Sequence, residues 1–488
     1  MSATKIVATI GPSCDTAPKI SRLLKAGVNV FRFNLKHNTQ KWHSVRIGRV
    51  REVSRQMAMP VAILLDLQGP EIRIGTFKEG KLLLRENDKV FFVLQSQSLT
   101  RQSRVQRTNK PRKEIVLNNL KLLESLKKGH ELTIDDGKFR FRVLRKKILE
   151  VEAKVLEGGV LKEKKGVNIP NLELDLPTLV EKDFADLSLA ARHEVDFLAL
   201  SFVRQANDIK ILREEINKRQ IKAQIIAKIE TGLALKNFSE ILAETDGVMV
   251  ARGDLGVELP IEQVPFYQKQ IIKECLAVGK PVITATQMLE SMIDNPVPTR
   301  AEVSDVANAV YDYTDAVMLS AETAAGLFPE KAVLMMKKIS RFIEEKNPSP
   351  ERINYTVKHQ TSVMTLAAND LLQNDFCQRE KIKALVALTE TGMTARMLSR
   401  LRPKLPIVAL TRNAGVRDQL LLSWGVYPIL LPSPESFYDK KDHLHIQEFV
   451  KIIKKQGWVK TGEKIILVYS EDWGTPGKTS IIRIQEVN

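Results

Sequence analysis

Short runs of β-branched and apolar residues recur at 6–10, 28–33, 61–65, 197–200, 225–229, 248–251, 282–284 and 317–319. Stretches of helical periodicity separate most of them, and strands alternating with amphipathic helices predict a parallel sheet. Eight is the number of strands that closes a (β/α)8 barrel. Between the third and fourth runs the pattern changes. Alternating strand patterns at 138–144 and 149–156, turn pairs such as Lys128-Gly129 and Gly158-Gly159, and little helical periodicity predict a small all-β lid. The expected organisation is a barrel over 1–69 and 168–345 with the lid, 70–167, inserted in one of its loops.

Asn347-Pro348-Ser349-Pro350 reads as a linker. Beyond it, strands at 384–388, 407–410 and 465–468 alternate with helices at 395–402 and 416–424. This predicts an open α/β domain over 346–488, with 481–487 as an edge strand. The fold class is therefore α/β: a (β/α)8 TIM barrel, an inserted all-β lid and a C-terminal open α/β domain.

With 488 residues, 43% of them hydrophobic and 27% charged, the chain has material for several cores. The same figures exclude disorder and collagen-like repetition. No run of about 18 apolar residues occurs, which argues against a membrane span. Cys14, Cys275 and Cys377 are far apart and odd in number, which argues against a disulfide framework and for a reducing compartment, the cytoplasm. The net charge is +17, and residues 77–165 alone hold 23 basic against 12 acidic residues. Arg101, Arg104, Arg107, Lys110, Arg112 and Lys113 are dispersed and have few aromatics nearby to stack bases, so a solvated basic face is favoured over a nucleic-acid surface.

In such barrels, polar residues just past the carboxyl ends of the strands line the active site. Here those positions are Arg32 and Asn34, Asp66, Ser201, Lys228 and Glu230, Arg252-Gly253-Asp254, Thr284-Ala285-Thr286 and Ser320-Ala321-Glu322. One charged residue alone is as readily a cap or a barrel ion pair; seven strand ends in register point to a catalytic mouth. Glu230 and Asp254, from adjacent strands, suit a hard divalent cation such as Mg2+ that completes its shell with water and substrate oxygens. Zinc would require His or Cys, and the near pairs His37/His43 and His443/His445 lie elsewhere. Lys228 stands two residues before Glu230, on the same strand face, and Arg32 and Arg73 can grip phosphoryl oxygens bidentately. Metal, lysine and arginine together are the equipment of phosphoryl transfer. The Gly253 and Asp254 amides, at the start of a short helix, would suit a substrate carboxylate.

The segments TKIVATIGP, LLDLQGPEIR, KKGVNIP, IAKIE, MVARGDLGVELP, ITATQMLESMIDNPVPTRAEVSDVANAVYDYTDAVMLSAETAAG and LTETGMTAR resemble, in order and over nearly the whole chain, the pyruvate kinases. The start just before TKIVATIGP is similar to short bacterial-type members. The resemblance implies Mg2+-dependent (or Mn2+-dependent) transfer from phosphoenolpyruvate to ADP by a cytoplasmic homotetramer. By the same resemblance, Lys228, Arg32 and Thr286 are catalytic, and Glu230 and Asp254 hold the metal. Arg32, Lys228, Gly253, Asp254, Thr286 and Ser320 contact substrate; Asn34, His37, Arg73 and Lys165 contact nucleotide. Asp135-Asp136-Gly137 resembles the lid turn that swings over the site. Thr389, Thr391, Gly392 and Thr394 lie in a loop where, by the same resemblance, relatives take an activator's phosphate, although residue type alone favours a capped helix start.

The sequence departs from the family pattern after the second strand, where Arg32-Phe33-Asn34-Leu35-Lys36-His37-Asn38 has Lys36 for a serine and Asn38 for a glycine. The serine hydroxyl would otherwise help hold K+, together with Asn34, Asp66 and the Leu67 carbonyl. Lys36 is thus a candidate built-in substitute for K+, held by those same acceptors, or a side chain that reaches solvent. Glu71 occupies a position linked with K+ dependence, so two local signals disagree. Pro476-Gly477-Lys478-Thr479-Ser480 looks like the end of a phosphate-binding loop, but the position of its first glycine is Asp472 and a strand follows, which rejects it. A magnesium-dependent carbon–carbon lyase on a related barrel also has Lys-Ile-Glu-Thr, here 228–231, but such enzymes lack the long lid and the Ala251–Gly256 block, and retention of Lys228, Glu230, Asp254 and Thr286 argues against an inactive binding protein.

Overall fold

The computed structural model describes residues 2–77, 79–94, 112–135, 137–148, 150–169, 176–347, 350, 353–374, 379–432, 446–470 and 477–488. Asp136, Arg101, Arg104, Arg107, Lys110, Cys377, His443, His445, Pro476 and the linker residues Pro348 and Ser349 lie outside them.

The chain opens with β1 (Lys5–Thr9), β2 (Val30–Asn34) and β3 (Ala62–Asp66). It then leaves to build β4 (Lys81–Leu84), β5 (Lys89–Leu94), β6 (Glu114–Leu117), β7 (Glu131–Ile134), β8 (Phe139–Lys147), β9 (Glu150–Glu157), β10 (Gly159–Lys162) and β11 (Val167–Asn168). It returns as β12 (Phe197–Leu200), β13 (Gln224–Ile229), β14 (Gly247–Ala251), β15 (Val282–Ala285) and β16 (Ala316–Leu319). All neighbours among β1–β3 and β12–β16 are parallel; β3 pairs directly with β12 and β16 with β1, so the barrel closes. Its strands alternate between two apolar environments. Val7, Val30, Leu64, Phe197, Ala199, Ile226, Met249, Ile283 and Met318 fill the interior, while Ile6, Ala8, Phe31, Phe33 and Leu65 pack outward among the helices.

The lid has a core of its own, in which Phe92 and Phe141 meet edge to face at 5.4 Å. A six-stranded sheet (order β11-β7-β8-β9-β5-β6) and a two-stranded one (β10-β4) make up its strands. Among the described residues of the lid the expected strands are joined by one short helix, Leu120–Ser125, capped by the Asn119 side chain on the Leu122 amide. Basic residues of the lid are largely interleaved with acids: Glu131 binds Arg140 and Arg142, Glu152 binds Lys89 and Arg145, and Glu150 binds Arg112. Opposite charges on neighbouring strands pair favourably.

The C-terminal sheet contains β17 (Ile382–Leu388), β18 (Ile407–Thr411), β19 (Val426–Leu430), β20 (Lys464–Tyr469) and β21 (Ile481–Glu486), in the order β19-β18-β17-β20-β21. The last strand lies at the edge, as its sequence predicted, and it runs antiparallel to β20. Leu421 and Leu422 join the barrel's interior cluster, and Lys5 Nζ donates to Val426 O at 2.7 Å, so this domain is packed against the barrel. Cys14 and Cys275 are buried free thiols. Among the described residues, no helix is long and apolar enough to cross a membrane.

Candidate active site

The ends of the barrel strands bring one connected charge cluster together. Arg32, near the end of β2, reaches across to β3: its Nε and Nη2 donate to Asp66 Oδ2 at 2.8 and 2.6 Å. Its Nη1 donates to Thr9 Oγ1, at the end of β1, at 3.0 Å. Lys228 of β13 donates to Ser201 Oγ at 2.8 Å and lies 3.3 Å from Asp66 Oδ1. Ser201 Oγ in turn donates to the Leu67 carbonyl at 2.8 Å. Burial opposes the Lys228 charge, but Asp66, Glu230 and Asp254 outweigh it and hold its pKa above the ordinary lysine value. Burial alone would raise Asp66; Lys228 and Arg32 instead bring it down to about 2. Lys228 and Asp66 are therefore both ionised throughout the neutral range.

Glu230 is fully buried, and its Oε2 accepts the Phe202 amide at 2.6 Å. Its Oε1 lies 2.7 Å from Lys228 Nζ, but off the line of a hydrogen bond, and so has no donor. A carboxylate oxygen that is ion-paired but accepts no hydrogen bond keeps a lone pair that fits a hard cation. Among the described residues there is no group of three or more His, Cys, Asp or Glu able to hold a metal. The donors that Glu230 and Asp254 offer are carboxylate oxygens, the type that suits a cation keeping water and substrate oxygens as ligands, as Mg2+ does.

Asp254 lies on the helix Arg252–Glu258, directly after β14, and faces a cleft of about 680 Å3 between barrel and lid. His37 of the barrel lines the same cleft, with Glu71, Arg73, Asp135 and Lys165 from the lid and with Asn168, which pairs in the lid sheet one residue past the expected boundary at 167. Lys165 binds Asp135 at 2.7 Å, and Arg73 binds Glu71 at 2.9 Å and the Lys164 carbonyl at 2.9 Å. Burial, then the charges of Arg73, Lys36 and Arg32, lower the pKa of His37 and keep its imidazole neutral. At the rim, the Ser320 amide is held by Glu322 Oε2, and among the described residues none of the hydrogen bonds of Ser320 goes to the Arg32–Lys228 cluster.

Thr286 adopts a φ of +65°, which costs a β-branched residue energy, and the neighbourhood over-determines it. Its hydroxyl donates to Ala285 O at 2.7 Å and accepts the Gly253 amide at 2.8 Å, while Arg252 donates to its carbonyl at 2.7 Å. The Gly253 amide expected for a substrate carboxylate is thus engaged by Thr286 here. Arg252 is anchored by Asp305 at 2.6 and 2.7 Å, a role its sequence position did not announce.

The altered loop after β2 corrects one expectation. Asn34 Oδ1 accepts the Lys36 backbone amide at 3.1 Å, and the Leu67 carbonyl accepts from Ser201. The Lys36 ammonium goes elsewhere, to 3.6 Å from Glu71 Oε2 and over the Phe202 ring. Glu71 is longer than the acceptors first considered and meets the ammonium from the lid's root. Asn38 takes a φ of +63°, a conformation that asparagine tolerates better than most residues, so loss of a glycine there leaves the turn intact.

In the C-terminal domain Gly392, at φ +80°, opens the helix Met393–Ser399. Thr391 is exposed, whereas Thr389 and Thr394 are buried and the Thr394 hydroxyl pairs with Thr479 Oγ1 at 3.0 Å. Lys478, Thr479 and Ser480 lead straight into β21, as the rejection of a phosphate-binding loop there requires.

Residues 1–333 match the family model for the pyruvate kinase barrel domain, and 374–485 match that for the pyruvate kinase alpha/beta domain. A pyruvate kinase of Geobacillus stearothermophilus is 40% identical over 488 residues, covering 99% of this chain and 80% of that protein. One of Clostridium perfringens is 36% identical over 501 residues and covers 100% of both chains. A third, from Staphylococcus saprophyticus, is 40% identical over 492 residues, covering 100% of this chain and 81% of its own length. Fold, site and relatives together define an enzyme, a phosphotransferase built on a (β/α)8 barrel. The chain belongs to the pyruvate kinase family.

Proposed function

We propose that the protein transfers the phosphoryl group of phosphoenolpyruvate to ADP, giving pyruvate and ATP at the last step of glycolysis in the cytoplasm. The observation that carries this reading is the Lys228 ammonium, buried at the barrel mouth and held charged between Asp66 and Glu230. Bound at Glu230 and Asp254, Mg2+ (or Mn2+) would neutralise phosphate charge and polarise the phosphoryl oxygens. As the bond from phosphorus to the enol oxygen breaks and a β-phosphate oxygen of ADP bonds to phosphorus, Lys228 stabilises both the moving phosphoryl group and the enolate left behind. Arg32 uses three of its N–H groups on Asp66 and Thr9 and has others left for phosphoryl oxygens. Thr286 orients the water that gives a proton to the enolate's methylene carbon. Asn34, His37, Arg73 and Lys165 hold the nucleotide, Gly253 and Ser320 the substrate, and closure of the lid excludes water.

Lys36, paired with Glu71, supplies a fixed positive charge beside the site in place of a free monovalent cation, while Asn34, Asp66 and the Leu67 carbonyl are engaged by the Lys36 amide, Arg32 and Ser201. Among the loop residues Thr389, Thr391, Gly392 and Thr394, the exposed Thr391 and the loop amides would receive the phosphate of an activating metabolite. Assembly as a homotetramer is supported by large exposed apolar side chains along the outer barrel, including Ile261, Phe266, Leu327 and Phe342.

A coupled assay for pyruvate from phosphoenolpyruvate tests the reading. Pyruvate formation should require both ADP and Mg2+; its absence with both present would overturn the assignment.

A further inference from the structure

Glu258 and Asn168 belong to different parts of the molecule and meet at the cleft. Glu258 closes the helix Arg252–Glu258, four residues after Asp254, so both side chains lie on the helix face that lines the cleft. Asn168 ends β11, the lid strand paired with β7 through Val167–Ile134 and Asn168–Thr133. Just past β7, Asp135 holds Lys165. Asn168 Nδ2 donates to Glu258 Oε1 at 3.3 Å, joining the barrel helix that carries Gly253 and Asp254 to the lid sheet that carries Lys165.

We propose that Glu258 is a positioning residue, and that its hydrogen bond to Asn168 latches the lid so that Lys165 and Arg73 face the Asp254 side of the cleft. An amide is suited to this task because it donates to a carboxylate and accepts from a carboxylic acid, so the latch holds in either state of Glu258. Burial, reinforced by the Asp254 charge and opposed by Asn168, raises the Glu258 carboxyl to about 7, which places both states within the neutral range. Neither residue touches the Arg32–Lys228–Asp66 cluster through a described hydrogen bond, so the latch acts through lid position and not through the reacting atoms. The inference rests on the proposed reaction, in which nucleotide is held between lid and barrel.

The test is a set of single and double variants of the full-length protein: Glu258→Gln, Glu258→Ala, Asn168→Ala and Glu258→Ala/Asn168→Ala. Hydrogen exchange of β7 and β11 is followed alongside steady-state kinetics. Glu258→Ala and Asn168→Ala should each lower kcat/KM for ADP about tenfold or more, with KM for phosphoenolpyruvate changed less than threefold, and should speed exchange in β7 and β11. The double variant should be no worse than either single one, because both remove one interaction. Glu258→Gln keeps an acceptor for Asn168 and should stay within threefold of the parent. Additive losses, unchanged lid exchange, or a Glu258→Gln variant as impaired as Glu258→Ala would overturn the latch. Exchange reports on the latch even if the parent makes no pyruvate, so its failure and that of the proposed reaction are told apart.

Discussion

Lys36 points its ammonium at Glu71, 3.6 Å from Oε2, and lies 5.1 Å from the centre of the Phe202 ring. A carboxylate and an aromatic face are both surroundings that a cation finds favourable. The ammonium is covalently attached, so the proposed substitution requires no cation from solution. Activity should be nearly full in buffer containing tetramethylammonium in place of K+ and Na+. In Lys36→Ser, activity without K+ should fall about tenfold and return on adding K+, and the melting temperature of that variant should rise with K+ concentration. Strong K+ activation of the unmodified protein would refute the substitution.

The bracketing of Lys228 by Asp66 and Glu230 predicts a transition-state role. Removing a fixed charge from a buried site of this kind costs on the order of 4 kcal/mol of barrier, about a thousandfold in kcat. Lys228→Met should show that loss with KM for phosphoenolpyruvate within about fivefold. A variant whose only defect is a raised KM would place Lys228 in ground-state binding instead.

Glu230 and Asp254 are expected to hold the divalent cation. Glu230→Gln preserves an acceptor for the Phe202 amide while removing the charge, and Asp254→Asn is its counterpart across the site. Each should raise the Mg2+ concentration for half-maximal activity at least tenfold and lower turnover about a hundredfold, with circular dichroism unchanged. Parent-like Mg2+ titrations in either variant would remove these carboxylates from the metal site.

The raised carboxyl of Glu258 also has a stability signature. Its folded value of about 7 exceeds the ordinary 4.5, so between these values the folded state binds the proton more tightly than the unfolded state. Stability from this group is therefore fully present at low pH, declines as pH rises from about 4.5 to about 7, and is level beyond. The span corresponds to on the order of 3 kcal/mol. Melting temperatures of the ligand-free protein at pH 5 and pH 8 should differ more for the parent than for Glu258→Gln. Equal differences would show that Glu258 titrates normally.

The barrel was legible because its strands are buried on both faces: the run 248–251 became Gly247–Ala251, and 317–319 became Ala316–Leu319. Arg32, Asp66, Ser201, Lys228 and Glu230 stood out because parallel strands deliver their last residues to one end, and the structure joins them in one network. Thr9 escaped notice because a hydroxyl at a strand end has no signature until Arg32 is seen to donate to it. Several lid strands were unread because they are four residues long and carry charges, as in Lys81–Leu84. The partners of Lys36 and Glu258 were unreadable for a different reason. Each sits on another element, and only the folded chain sets their distance.

Because the lid is inserted between β3 and β12, the barrel cannot close until Leu67 and Ala199, which share a backbone hydrogen bond, have been brought together across the whole insertion. Loop closure of that kind carries an entropic cost that grows with the logarithm of the free chain length. A lid with its own apolar core, centred on Phe92 and Phe141, can fold first and shorten the loop that remains. The connectivity thereby favours an order of assembly in which the insertion condenses early and the barrel seals late. A lesion inside the lid, such as Phe92→Ala, would then be felt as slow sealing of the barrel, far from the altered side chain.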